Sequence, residues 1–152
     1  MKPLVITYQP EYKNQFIDLN KAWLEEFFVV EPHDNDVFNN IESYILEPGG
    51  MIFFCIVNNE VAGTVAMQKV NDATYELAKL AVAKKFQGLK LSNLLMNNCL
   101  AFAKAKKAES IMLLSNRKLE NALRLYEKYG FIEVPMKEND YTRADIQMEL
   151  KL

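Results

Sequence analysis

Histidine, cysteine and arginine are all scarce in this 152-residue chain: there is one His (His33), two Cys and three Arg. Cys55 and Cys99 sit inside apolar runs with no CxxC spacing, so neither a zinc site nor a disulfide framework is supported, and no metal is expected. Glycine and proline number only five each, which removes collagenous, low-complexity and disordered readings. No apolar run approaches the roughly 18 residues of a membrane span, and the opening MKPLVITYQP lacks the form of a signal peptide. A reducing cytoplasm, with no membrane partner, is the expected setting. The 18 basic and 20 acidic residues leave a net charge of -2, and with so few arginines a nucleic-acid partner is not expected. What is present is an ordinary globular composition, half apolar and a quarter charged, sized for a single domain over residues 1–152.

Patterning along the chain predicts the order β-α-α-β-β-β-α-β-α-β-β. PLVITY (3–8) reads as a strand, and Phe16, Leu19, Trp23, Phe27 and Val30 follow helical spacing after Pro10. A shorter helix carries Val37, Phe38, Ile41, Tyr44 and Ile45, with Asp34 and Asn35 as cap-like residues. MIFFCIV (51–57) and VAGTVAM (61–67), separated by Asn58-Asn59-Glu60, form a hairpin signature, and TYELAKLAV (74–82) is a further strand. Helical spacing returns from Lys90 to Lys107, followed by the strand SIMLL (110–114). A helix is predicted from Arg117 to Tyr129, capped by Asn116 and closed by Gly130. FIEVPM (131–136) and the alternating segment from Ala144 to Lys151 complete the set, the last with a face that suits pairing across a dimer. An α/β or α+β sheet with helices on both faces follows. Oligomeric state stays open between monomer and homodimer.

Charge is segregated. From Leu77 to Ala108 there is no acid but seven lysines, Lys79, Lys84, Lys85, Lys90, Lys104, Lys106 and Lys107. The strand 74–82 runs through Gln87-Gly88 into a helix N-terminus, where amide groups and the positive dipole end suit a phosphate; the plain alternative is a set of solvated lysines. Residues 11–47 hold nine acids against two lysines, which suggests a cationic ligand or simply solvated helix faces.

LAVAKKFQGLKLSNLL, followed about thirty residues later by NALRLYEKYGF, resembles the GNAT superfamily of acyl-CoA-dependent N-acetyltransferases, and the order of elements agrees along essentially the whole chain. The resemblance implies a mixed, mostly antiparallel central sheet and acetyl-CoA as co-substrate. The family turn has the form Gln/Arg-x-x-Gly-x-Gly/Ala. Here it is Gln87, Gly88, Leu89, Lys90, Leu91 and Ser92, followed by Asn93, with Lys90 and Ser92 standing where glycines belong. These residues are the implied pyrophosphate contacts. Backbone groups of Leu80, Ala81 and Val82 correspond to those that pair with pantetheine and polarise the thioester carbonyl. The family's CoA-facing Asn is Leu119 in this chain, with Asn116 near enough to replace it or to act only as a cap.

Periodicity alone makes Tyr126 a core aromatic; the resemblance implies a general acid that protonates the departing thiolate. Glu76, six residues before Val82, matches one family position for a base, against its reading as an exposed strand carboxylate, while the other base position is Leu114. His33 lies between the first two helices, as a further candidate base or an ordinary loop imidazole, and Trp23, Phe27 and Phe28 are candidates for an acceptor pocket or for the core. The expected activity is transfer of an acetyl group to a primary amine, on a small molecule or a peptide. The rival is a degenerate module that binds acyl-CoA or a protein without turnover, favoured by Lys90 and Ser92.

Overall fold

The computed structural model describes residues 2–152. The elements follow the predicted order: β1 (Leu4–Thr7), α1 (Lys13–Phe27), α2 (Pro32–Asn39), β2 (Met51–Val57), β3 (Glu60–Lys69), β4 (Thr74–Val82), α3 (Leu91–Ala105), β5 (Ser110–Ser115), α4 (Glu120–Lys128), β6 (Ile132–Val134) and β7 (Ile146–Lys151). The seven strands form one mixed α/β sheet in the order β1-β2-β3-β4-β5-β7-β6, antiparallel except for β4 and β5. Helices α1 and α2 cover one face, burying Phe16, Leu24, Val37 and Phe38 against Ile52, Phe54 and Ala66. On the other face α3 and α4 pack Leu95, Cys99 and Tyr126 against Val65, Met67, Leu77 and Ile111. Among the described residues no helix is long and apolar enough to cross a membrane.

The hairpin turn forms where Asn58 and Asn59 both take positive φ (50° and 64°), the geometry that matches strand twist and that Asn tolerates. Several boundaries depart from the pattern. In α1 the buried positions are Phe16, Asn20 and Leu24 rather than the Phe16-Leu19-Trp23-Phe27 series. Asn20 is tolerated there because its amide donates back to the Phe16 carbonyl at 2.9 Å. In α2 the cap position is Glu31, so Asp34 is inside the first turn, and a π-helical turn over Glu42–Leu46 carries Ile45 into the core. His33 therefore belongs to α2 and not to a loop. The fourth helix begins at Glu120, three residues later than predicted from Arg117. Asn116 accepts from the Lys118 amide (2.9 Å) and Asp145 accepts from the Arg117 amide (2.8 Å), holding the chain in a turn. β7 lies between β5 and β6, and β6 already pairs with the outer edge of the last strand from Gln147 to Glu149, an edge that the sequence alone left open to a dimer partner.

The sheet splits in the middle. β4 and β5 pair only from Thr74 to Glu76 against Ser110 to Met112. Beyond Glu76 the β5-facing edge of β4 runs on to Val82 without a strand beside it, leaving backbone N–H and C=O groups exposed along the gap. A bulge in β4 accompanies this divergence. Ala66 faces Ala78 and Thr64 faces Ala81, so Val65 opposes both Lys79 and Leu80, and Lys79 takes φ +59°.

Candidate active site

The gap between the diverging strands is a cleft of about 570 Å³. Its floor is β4 from Glu76 to Val82, and one wall is α4, through Ala122, Leu125 and Tyr126. The turn Gln87–Ser92 closes one end, and Trp23, Phe28, Tyr141 and Arg143 close the other. A second cavity of about 460 Å³ meets the cleft at Glu76, Leu114 and Tyr141. It lies over Gln68, Thr74, Ser110, Gln147 and Glu149, a polar part of the sheet that α1 and α2 leave to the segment 137–141.

Of the residues singled out by the sequence, Glu76, Leu80, Ala81, Val82 and Tyr126 all line the first cleft. Gln87, Gly88, Lys90, Leu91, Ser92 and Asn116 line it as well. Leu89 and Asn93 do not. Leu89 is exposed, and Asn93 instead accepts from Lys128 Nζ (3.0 Å) and the Tyr129 hydroxyl (3.2 Å), tying α3 to α4. Both ends of the Asn116 amide are engaged within the chain, Nδ2 donating to the Arg143 carbonyl (2.8 Å) and Oδ1 accepting from Lys118. Phe27 stays outside the cleft, whereas Trp23 and Phe28 line it.

The turn keeps the backbone shape that glycine would favour. Gly88 takes φ +83°, with open space where a Cβ would stand, and Lys90 itself adopts the left-handed conformation (φ +60°) as the residue before α3. The first amides of α3 therefore face the cleft end with no helical carbonyl behind them, a ready anion site. The seven lysines do not form one patch. Lys79 is buried, Lys84 and Lys85 pair with Glu26 and Glu60, and Lys104, Lys106 and Lys107 lie about 20 Å away at the far end of the 15-residue α3. Lys90 is the lysine of that set that stands at the mouth. Nor do any of the nine acids of residues 11–47 line either cavity. Glu31 and Asp34 are used internally instead, so the count in the sequence overstated their reach.

The Tyr126 side chain is 8% exposed and packs on Phe131, with ring centroids 6.0 Å apart. Burial pushes its phenol up to about 12, so the hydroxyl keeps its proton at neutral pH. Burial also raises the Glu76 carboxyl above the ordinary range, opposed by the charge of Lys79 and reinforced by Asp140. A buried ion cluster lies beside it, which local sequence patterns do not reveal. Asp34, fully buried, accepts from Lys79 Nζ (2.5 Å), from both Arg143 Nη atoms (2.7 Å each) and from the Glu31 amide (2.8 Å). Glu31 accepts from the Thr142 and Arg143 amides, and Lys79 donates to the Tyr141 hydroxyl at 3.0 Å. The one local signal is Lys79 itself, which falls in step with the buried Tyr75 and Leu77 in a strand of period two.

The sheet is split over a turn that carries Lys90 and leads into the N-terminus of α3. Residues 15–131 match the model of the acetyltransferase (GNAT) family, and the chain belongs to that family. It is 31% identical over 105 residues to N-acetylaspartate synthetase of Danio rerio; the match covers 68% of this chain and 37% of that longer protein. An acetyltransferase of the GNAT family from Staphylococcus aureus Mu50 has the same fold, with TM-score 0.89 at 21% identity over 99% of both chains. A GNAT family acetyltransferase from Elizabethkingia anophelis, solved with acetyl-CoA bound, superposes with TM-score 0.71 at 19% identity, covering 99% of this chain and 98% of that one.

Proposed function

We propose that residues 1–152 act as one acetyltransferase domain that moves an acetyl group from acetyl-CoA to a primary amine by direct attack, in a cytoplasmic setting. The observation that carries this reading is the meeting of two cavities at Glu76: one runs to the turn that carries Lys90, the other lies over Gln68, Ser110 and Gln147 beside the segment 137–141. Acetyl-CoA fits the first. The α3 amides and Lys90 suit its phosphates, and the unpaired edge of β4 offers hydrogen-bonding groups to pantetheine and the thioester carbonyl. The amine reaches the junction through the second cavity. Glu76 takes its proton, directly or through a water; the nitrogen lone pair attacks the thioester carbon. The carbon–sulfur bond then breaks, and Tyr126 gives its proton to the departing sulfur.

The second cavity also supports a cationic acceptor. Glu76, Glu138, Asp140 and Glu149 line it against Lys137. The cations nearest the junction, Lys79 and Arg143, are already paired with Asp34 and Glu31, so Lys137 is left to meet an acceptor carboxylate, against four acids lining the same cavity. A diamine or lysine-like amine is therefore favoured over an acidic amino acid. Binding without turnover is the weaker reading, because Lys90 retains the backbone conformation of the glycine that it replaces. Thiol release from acetyl-CoA, measured with size-matched diamines, monoamines and acidic amino acids, tests both points. Release that no amine stimulates, with acetyl-CoA bound, refutes the enzyme reading; equal kcat/KM for all three classes refutes the cationic acceptor.

A further inference from the structure

Strict alternation along β4 puts Tyr75 and Leu77 on the α3 face and Glu76 and Ala78 on the α1–α2 face. Lys79 belongs by count on the α3 face, yet its ammonium pairs with Asp34 of α2 and lies over the Phe38 ring at 5.3 Å. The bulge turns it onto the same face as Glu76. A non-glycine residue in the left-handed region resists this conformation, and an ammonium out of water resists burial. Asp34 answers both, because its Oδ1 holds Lys79 while Arg143, from the segment before β7, and the amide of Glu31, at the cap of its own helix, fix the carboxylate.

We propose that Asp34 is a positioning residue for Glu76: by anchoring Lys79 in the bulge, it holds one positive charge on the sheet face where that carboxylate meets the cleft. The proposal rests on the reading of Glu76 as the base. A base must be ionised to accept a proton, and burial works against ionisation at Glu76 while the Lys79 charge works for it. Burial lowers the affinity of Lys79 for its proton, and Asp34 restores part of what burial removes. The other charged and titratable groups about the junction are His33 of α2, Lys137, Glu138, Asp140, Tyr141 and Arg143 of the segment before β7, and Glu149 of β7. Asp140 opposes Lys79 in its effect on Glu76. The anchor therefore sets the pH at which the base becomes active, through a residue that need not touch either substrate.

The test is the pH profile of kcat for wild type, Asp34→Asn, Lys79→Met and Lys79→Arg, with one amine at saturation so that its own ionisation is common to all. Loss of a nearby opposite charge raises a carboxyl pKa, so the acid limb moves to higher pH by about one unit in Lys79→Met. Asp34→Asn removes a carboxylate together with the anchor, two effects of opposite sign on Glu76, so its limb moves by less. Lys79→Arg restores the charge and brings the limb back toward wild type. Lys79→Met keeps the Asp34–Arg143 pair and carries the test if Asp34→Asn does not fold. An acid limb that stays in place in a folded Lys79→Met protein overturns the proposal. Glu76→Gln separates the two readings. If it removes the acid limb while Lys79→Met leaves that limb unmoved, the anchor fails and the base stands; if the limb survives Glu76→Gln, the base itself is misassigned.

Discussion

Replacing Lys90 by glycine moves stability and ligand affinity in opposite directions. Lys90 sits at φ +60°, ψ 27°, immediately before α3, with an exposed side chain at the cleft mouth. The left-handed region costs an L-residue about 1–2 kcal/mol, while glycine gives back roughly 0.5–1 kcal/mol through the greater freedom of the unfolded chain. The net expectation is a gain of about 0.5–1 kcal/mol, which for a chain of this length raises Tm by about 1–4 °C. The same substitution removes a charge from the anion site. An exposed lysine contributes about 0.2–1 kcal/mol to such a pair, so acetyl-CoA affinity falls about 1.5- to 5-fold at low salt and by less at high salt. Lys90→Met controls for the two effects, because it loses the charge but keeps the Cβ in the left-handed region. Calorimetric titration and thermal unfolding of the three proteins at two salt concentrations give the comparison. A Tm for Lys90→Gly at or below that of wild type refutes the strain argument; unchanged affinity in both variants refutes the phosphate contact.

Other expectations follow from single residues. Tyr126→Phe keeps the ring volume and removes the proton donor, so kcat falls by about 10²- to 10⁴-fold with acetyl-CoA affinity unchanged, as steady-state kinetics and calorimetry will show. In Gly50→Ala the new Cβ drives into the carbonyl oxygens of Met67 and Ile45, and neither backbone can yield cheaply. A loss above about 3 kcal/mol in denaturant unfolding is expected. Asp34 is held down at about 2 from an unfolded value of 3.8, against its burial, by Arg143 and Lys79. Its contribution is therefore present above about pH 4 and is lost as pH falls toward 2, on the order of 2 kcal/mol. Acid unfolding of Asp34→Asn should show a flatter dependence across that window.

Local chemistry was legible in the sequence wherever neighbours in the chain decide the outcome. The Asn58-Asn59 turn and the bounds of β4 at Thr74 and Val82 follow from turn propensity and period-two burial, and they stand as read. The element order followed from the patterning along the chain, and the cleft-lining turn from the resemblance on matching elements. Errors arose where a distant group supplied the missing partner. The start of α4 moved because Asp145 takes the Arg117 amide from 28 residues away, and the reach of the acidic segment 11–47 was overstated because Arg143 and Lys79 consume Glu31 and Asp34. The sharpest case is Lys79. A charged residue in step with buried positions of a strand leaves two solutions: an exposed face, or a break in the alternation. Period two alone cannot choose between them, because the choice depends on Asp34, 45 residues earlier, and on Arg143, which fixes Asp34 from beyond β5. Bulge, split sheet and buried ion cluster therefore belong together. The strand bulges where the cleft opens, and the charge carried onto the other face by that bulge lies beside the carboxylate at the junction of the two cavities.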